Sequence, residues 1–178
     1  MKSTIAVTSI IFTLGFISLP LVWGDNDFDW KKKGEYKSSV TKSPAYIEEC
    51  GGCHMAYPAN LLPGRSWKKM MSDLENHFGD NAELDEETQQ IISHYLINNS
   101  ADTHKGKLTR SIKTADTPLR ISELSYFKHE HDEIPQRMVK DNPDVKSFSQ
   151  CNTCHAKAEQ GSFDEDNVRI PGYGKWDD

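Results

Sequence analysis

The sequence predicts an all-α fold in two small helical lobes. Apolar residues recur at helical spacing in several segments, and no alternating pattern of strand type runs for any length. One pentapeptide, C-x-x-C-H, occurs twice, at residues 50–54 and 151–155, and uses all four cysteines of the 178-residue chain.

Residues 1–24 read as a secretory signal: Lys2 supplies the charge, an apolar run follows, and Val22 and Gly24 are small residues at a cleavage site between Gly24 and Asp25. The alternative is an uncleaved membrane anchor, because the apolar run is almost long enough to span a bilayer. Nothing after Gly24 has the make-up of a membrane span. Residues 25–42, polar and carrying Lys31, Lys32 and Lys33, form a flexible lead-in.

Ser43 and Pro44 suit an N-cap and a first helical position. That helix is expected to turn Tyr46 and Ile47 inward and to deliver the first C-x-x-C-H at its end. After a loop with Pro58 and Pro63, Ser66 is expected to cap a second helix. Its stripe is Trp67, Met70, Met71, Leu74 and Phe78, and Gly79 ends it. Asp85 caps a third helix with Glu86 and Glu87 in its first turn and Ile91, Ile92, Tyr95 and Leu96 on its buried face. Residues 43–100 thus form a first lobe and 101–117 a polar linker. A second lobe with a C-terminal tail fills 118–178. There Leu124, Phe127, His131 and Ile134 share one arc of a helix stopped by Pro135. A further helix from Ser147 to about Ala158 carries the second C-x-x-C-H and is closed by Gly161. The tail holds Phe163, Val168, Ile170, Tyr173 and Trp176 as a flap.

C-x-x-C-H is the attachment signature of c-type haem. Two thiols spaced by three residues lie on one side of a helical turn, with the histidine beside them, so all three address one flat ring. The cysteines become thioethers and the histidine ligates the iron. Two copies predict two covalently bound haem c groups, on Cys50 and Cys53 and on Cys151 and Cys154, with His54 and His155 as iron ligands. Disulfides would suit an exported chain, but leave unexplained a histidine after each pair. A zinc site of four thiolates would draw its two pairs from distant parts of the chain, and a thioredoxin-type motif needs a βαβ context that is absent. Hydrophobic residues make up 36% of the chain, lean for a self-sufficient core, so the chain without haem is expected to be poorly folded. The net charge of −6, or −7 once Lys2 leaves with the signal, excludes nucleic-acid binding and favours encounter with a basic partner.

The sixth iron ligand sets the chemistry. For the first haem His77 is the candidate, at the edge of the second helix's stripe, with Met70 and Met71 as rivals. For the second the candidates are His129 and His131, which on a helix point in nearly opposite directions. Only His131 shares the Leu124, Phe127 and Ile134 arc. Met138, His94 and His104 are reserves that read more simply as surface or linker residues. Arg65, Arg120 and Arg169 are candidates to pair with haem propionates, or are ordinary surface arginines.

The chain resembles the dihaem cytochrome c family, small exported bacterial cytochromes. The likeness runs from about Glu49 to Pro171. It rests in the first half on Cys50, Cys53 and His54 followed by Met55, Ala56, Tyr57 and Pro58, on Leu62, Pro63, Arg65, Ser66 and Trp67, and on His77, Phe78 and Gly79. In the second half it rests on Pro118 to Ile121 with Glu123, on Glu130, His131, Glu133 and Ile134, on Cys151, Cys154 and His155, and on Val168 to Pro171. The resemblance implies a first lobe similar to class I cytochrome c, a less usual second helical lobe, and bis-histidine ligation through His77 and His131. It also implies a small oxygen-binding monohaem cytochrome as redox partner, with a membrane cytochrome b upstream.

The expected function is a periplasmic electron shuttle rather than an enzyme. The alternative is a dihaem peroxidase or small-ligand reductase with one displaceable distal ligand. A haem sensor would need an effector domain for which the chain has little room. No glycine-rich phosphate loop or nucleophile–histidine pairing suggests other catalysis.

Overall fold

The structure, a computed structural model, describes residues 43–103 and 107–176. The signal, the lead-in and His104 lie outside the described residues.

Helix α1, Pro44–Cys50, begins as its sequence predicts: the Ser43 hydroxyl accepts from the Tyr46 N–H at a long 3.5 Å, and Pro44 sits where no backbone donor is needed. Tyr46 is buried, but Ile47 is 46% exposed, so only one of the two residues expected inside is there. A seven-residue helix has one narrow inner face, and Tyr46 and Cys50, four apart, take it. The chain leaves the helix at Cys50, and residues 51–53 form a turn.

Helix α2, Gly64–Met71, starts before Ser66 and stops well short of Gly79. Its N-cap position is Pro63, whose ring has no hydrogen-bonding group to offer. Asp102, from beyond the next helix, accepts from the Gly64 N–H at 2.8 Å instead. A Cβ at Gly64 would meet that carboxylate at 3.1 Å and the Ser100 hydroxyl at 3.3 Å, both tighter than most Cβ contacts. Ser66, expected as the cap, is fully buried in the first turn, and its hydroxyl has no hydrogen-bond partner. At the other end Gln89 donates to the Met71 carbonyl at 2.6 Å and Ser72 donates to that of Lys69 at 2.8 Å. These bonds satisfy carbonyls that a longer helix would have used. A short 3-10 turn, Leu74–Asn76, follows, fastened by Asn76 donating to Asp73 at 2.6 Å. Phe78 then takes a left-handed φ of 55° and is 43% exposed, so it is not part of the buried stripe.

Helix α3, Glu86–Asn98, carries the predicted cap, with Asp85 accepting from the Thr88 N–H at 3.0 Å. Ile92, Tyr95 and Leu96 are buried, whereas Ile91 is 40% exposed. Ser93 takes the inner place beside Ile92 and satisfies its hydroxyl on the Gln89 carbonyl at 2.7 Å. Helix α3 packs on α2 and α1. Together with Leu62, Trp67, Met71 and Leu74 they close a core that also takes in Leu124. Trp67 donates its indole N–H to the Ala59 carbonyl at 2.6 Å, so the largest core side chain leaves no polar atom unpaired.

Beyond α3, the Ala101 N–H donates to the Leu62 carbonyl at 3.0 Å. A short helix α4, Lys107–Arg110, follows. Arg65 holds the next stretch, donating to the carbonyls of Asp116 at 2.6 Å and Lys113 at 3.0 Å.

The remaining helices are short: α5, Ser125–His129; α6, Gln136–Val139; and α7, Cys151–Cys154. The helix expected to run through His131 to Pro135 ends at His129, and Pro135 N-caps α6 instead. The long helix expected around the second motif shrinks to α7, followed by a 3-10 turn, Ala158–Gln160, that Gly161 closes at φ 82°. The tail adds a small antiparallel hairpin, β1 (Arg169–Ile170) against β2 (Gly174–Lys175), with Arg169 opposite Lys175. The fold is therefore mostly helical rather than all-α. Val168 and Ile170 are buried, and Val168 forms a β-bridge with His155, which pins the tail on the second motif. All the described residues belong to one compact unit.

Candidate functional site

Each C-x-x-C-H histidine faces a second histidine from a distant segment. The rings of His54 and His77 lie 6.2 Å apart, centroid to centroid, with planes 26° from parallel. Those of His131 and His155 lie at the same 6.2 Å with planes 66° apart. Two imidazoles bound on opposite sides of one metal, each at about 2 Å, would place their centroids roughly 6 Å apart. Ordinary ring stacking is closer, as between Phe127 and His131 at 4.0 Å.

Hydrogen bonding sets the tautomers. Nδ1 of His54 lies 2.8 Å from the Met55 carbonyl and Nδ1 of His131 lies 2.8 Å from that of Phe127. A carbonyl only accepts, so both Nδ1 atoms carry a proton and Nε2 is the nitrogen left to face a metal. Nδ1 of His155 is buried with no hydrogen-bond partner in the protein. Burial lowers the pKa of His77, helped by nearby His54, and lowers that of His131. Burial also lowers that of His155, with His131 adding to the effect. These rings are held neutral, the form that binds metal.

His77 reaches its place because α2 ends early, not because it rides the α2 stripe. It caps the 3-10 turn, and its ring meets Phe78 edge-on at 4.9 Å. Arg120, from the second half, lies 4.0 Å above the Phe78 ring. His131 likewise sits past the end of α5, held by its bond to Phe127 and by stacking on that ring. His129 also borders the second site's cavity, but its side chain is 79% exposed and lies 4.0 Å from Asp132. Met71 is buried in the hydrophobic core and Met70 packs against it. His94 and Met138 are half-buried.

A cavity of about 470 Å³ contains the second site whole. Cys151, Cys154, His155 and His131 line it with Phe127, Phe148, Phe163, Val139, Val168, Ile170 and Trp176. Such a volume and apolar lining suit a large flat cofactor. An adjoining cavity of about 580 Å³ shares Phe127, His131 and Phe148 and is rimmed by Lys128, Lys140 and Lys146. Of the arginines considered for propionates, Arg65 is committed to the carbonyls of Asp116 and Lys113, and Arg120 lies over Phe78 and 3.6 Å from Glu123. The lysine rim escaped sequence reasoning because its members are scattered along the chain in no pattern. So did Tyr57, which stacks on His54 at 4.7 Å.

None of the four cysteines is in a disulfide. Burial pushes the Cys50 and Cys151 thiols up to about 11. Among the described residues no group of three or more His, Cys, Asp or Glu could hold a metal ion by itself. The donors here, one neutral imidazole pair beside each cysteine pair, fit a haem iron that brings four nitrogens of its own.

A mostly helical fold that brings an imidazole pair to each of two C-x-x-C-H motifs defines a c-type cytochrome with two haems. The chain belongs to the dihaem cytochrome c family, whose model matches residues 46–163. Among solved structures it is similar to a dihaem cytochrome c from Shewanella baltica, at 51% identity and a TM-score of 0.65 over 75% of this chain and 97% of that one. It is also similar to the dihaem cytochrome c of Rhodobacter sphaeroides, at 48% identity and a TM-score of 0.64 over 71% of this chain and 100% of that one. A search of curated proteins found no match. The chain is thus an electron-transfer cytochrome with two covalently bound haem c groups. Among the described residues no helix is long and apolar enough to cross a membrane.

Proposed function

We propose that this cytochrome is a periplasmic electron shuttle with both irons ligated by two histidines. Cys50 and Cys53 hold the first haem, with His54 and His77 as its axial ligands. Cys151 and Cys154 hold the second, with His155 and His131. The 6.2 Å separation found in both histidine pairs is the observation that carries this reading.

When bound, each haem supplies an iron that passes between Fe(III) and Fe(II). The chain's own part is to hold neutral imidazoles at both faces, to exclude water with the aromatic and aliphatic wall of the second cavity, and to set the potential through burial and nearby charge. Residues 43–100 form a lobe of class I cytochrome c type and residues 118–178 a second helical lobe, one haem each. The chain is exported and its signal is cleaved near Gly24 and Asp25. Its redox partners are a small oxygen-binding monohaem cytochrome and a membrane cytochrome b. It is a carrier and not an enzyme, since a histidine on each side leaves the iron no position for a substrate.

His77→Met and His131→Met, compared with wild type by EPR and near-infrared absorption, test the ligands. Each variant is expected to lose one bis-imidazole signature and gain a histidine–methionine one. Unchanged spectra in either variant overturn that assignment, and a wild-type spectrum that shifts on adding carbon monoxide overturns the carrier reading in favour of an open-site enzyme.

A further inference from the structure

Tyr57 touches both sites. Its ring stacks on the imidazole of His54, with centroids 4.7 Å apart and planes 23° from parallel. Its hydroxyl donates to the Ser149 carbonyl at 2.7 Å, across 92 residues of sequence. Ser149 lies two residues before Cys151, whose sulfur is 3.9 Å from that same carbonyl. Its neighbour Phe148 meets the His131 ring edge-on at 5.7 Å and lines the second cavity. The backbone of Tyr57 is itself anchored: its carbonyl accepts from the buried Tyr46 hydroxyl at 2.9 Å, and Tyr46 packs on Tyr95 at 5.5 Å. One side chain therefore carries a rigid link from the core of the first half, past a C-x-x-C-H histidine, to the segment that presents the second motif.

We propose that Tyr57 is a positioning residue that fixes the two haem sites relative to each other. The inference rests on the reading that each C-x-x-C-H carries one haem. A link between two rigid sites limits the spread of their mutual distances and angles, and transfer between them depends steeply on both. The ring supplies the contact at the first site. The hydroxyl supplies the directional bond to the second, which phenylalanine cannot replace. Tyr57 gains and loses no electron in this role.

The test uses the full holoprotein. Soret circular dichroism reads the mutual orientation of the two porphyrins as a paired positive and negative band, and EPR reads each iron's own ligands. In Tyr57→Phe the paired band is expected to lose amplitude as orientations average, while both EPR signals stay in place. Putting 4-aminophenylalanine at position 57, which restores a donor on the same ring, is expected to restore the band. A Tyr57→Phe spectrum identical to wild type, a wild type without the paired band, or no recovery with the amino analogue overturns the proposal. If Tyr57→Phe fails to assemble, recovery of assembly and band by the amino analogue supports the proposal and its failure overturns it. Wild-type EPR without bis-imidazole signals instead refutes the ligand assignment, whatever the dichroism shows.

Discussion

The rings of His131 and His155 stand at 66° to each other, whereas those of His54 and His77, at the same 6.2 Å separation, are only 26° from parallel. Near-parallel imidazoles split the two iron orbitals that hold the unpaired electron, and near-perpendicular ones leave them close in energy. Oxidised protein should therefore give two low-spin EPR signals of equal weight: a rhombic one with three resolved features from the first site, and a strongly anisotropic one with a single prominent low-field feature from the second. His77→Met should remove the first signal only and His131→Met the second only. Two superimposable rhombic signals would contradict the geometry.

Lys128, Lys140 and Lys146 rim the cavity that adjoins the second site. Positive charge favours Fe(II), so Lys140→Ala and Lys146→Ala should each lower the potential of the second haem, by about 10–20 mV per screened charge. The first haem's potential should stay put. Spectroelectrochemical titration at low and high salt reads both, and the shift should shrink at high salt.

Asp102 caps α2 from across the fold at 2.8 Å. Asp102→Ala should cost about 1 kcal/mol, the usual value of a lost N-cap, seen as a lower midpoint in thermal or urea unfolding. Gly64→Ala should also destabilise, because the new methyl would press on the same carboxylate and on Ser100. Asp102→Asn should retain most of the stability.

Asp85 accepts from the Thr88 N–H and hydroxyl, which lower its pKa from the ordinary 3.8. A carboxylate with a depressed folded-state value stabilises fully above that ordinary value and loses its contribution as pH falls through the folded-state pKa. The thermal midpoint of wild type should therefore fall more between pH 5 and pH 2 than that of Asp85→Asn. Parallel curves would show that the cap does not titrate in this window.

The two halves should depend on haem unequally. The first has a continuous core, from Tyr46 through Trp67 to Leu96, to which the second half adds Leu124. In the second, Val139, Val168 and Ile170 are buried around a cavity that the second motif lines. Replacing both Cys151 and Cys154 by alanine should expose the amides of residues 118–176 to rapid hydrogen exchange and leave those of 43–103 protected. Equal protection in both halves would refute a haem-dependent core.

The caps at Ser43 and Asp85 and the close at Gly161 were readable because each is a local matter of one side chain or one backbone angle, whereas Gly79, expected to end α2, lies well past that helix. Helix ends set by distant partners were not. A wheel drawn through Phe78 cannot know that Gln89 will take the Met71 carbonyl. One drawn through Ile134 cannot know that α5 will stop at His129. His77 and His131 thus stand opposite the motif histidines although neither lies on the helix whose periodicity singled it out.

By itself the sequence determined the chemistry: two cysteine pairs with an adjoining histidine, the family those residues carry, and an acidic chain lean in apolar residues. Those follow from residue identity and short spacing, which survive without coordinates. Only the tertiary structure decided which imidazoles meet, at what angle, and that Tyr57 and three scattered lysines attend the sites. Such pairings join residues far apart in the chain, and their geometry is fixed by packing that no local pattern records.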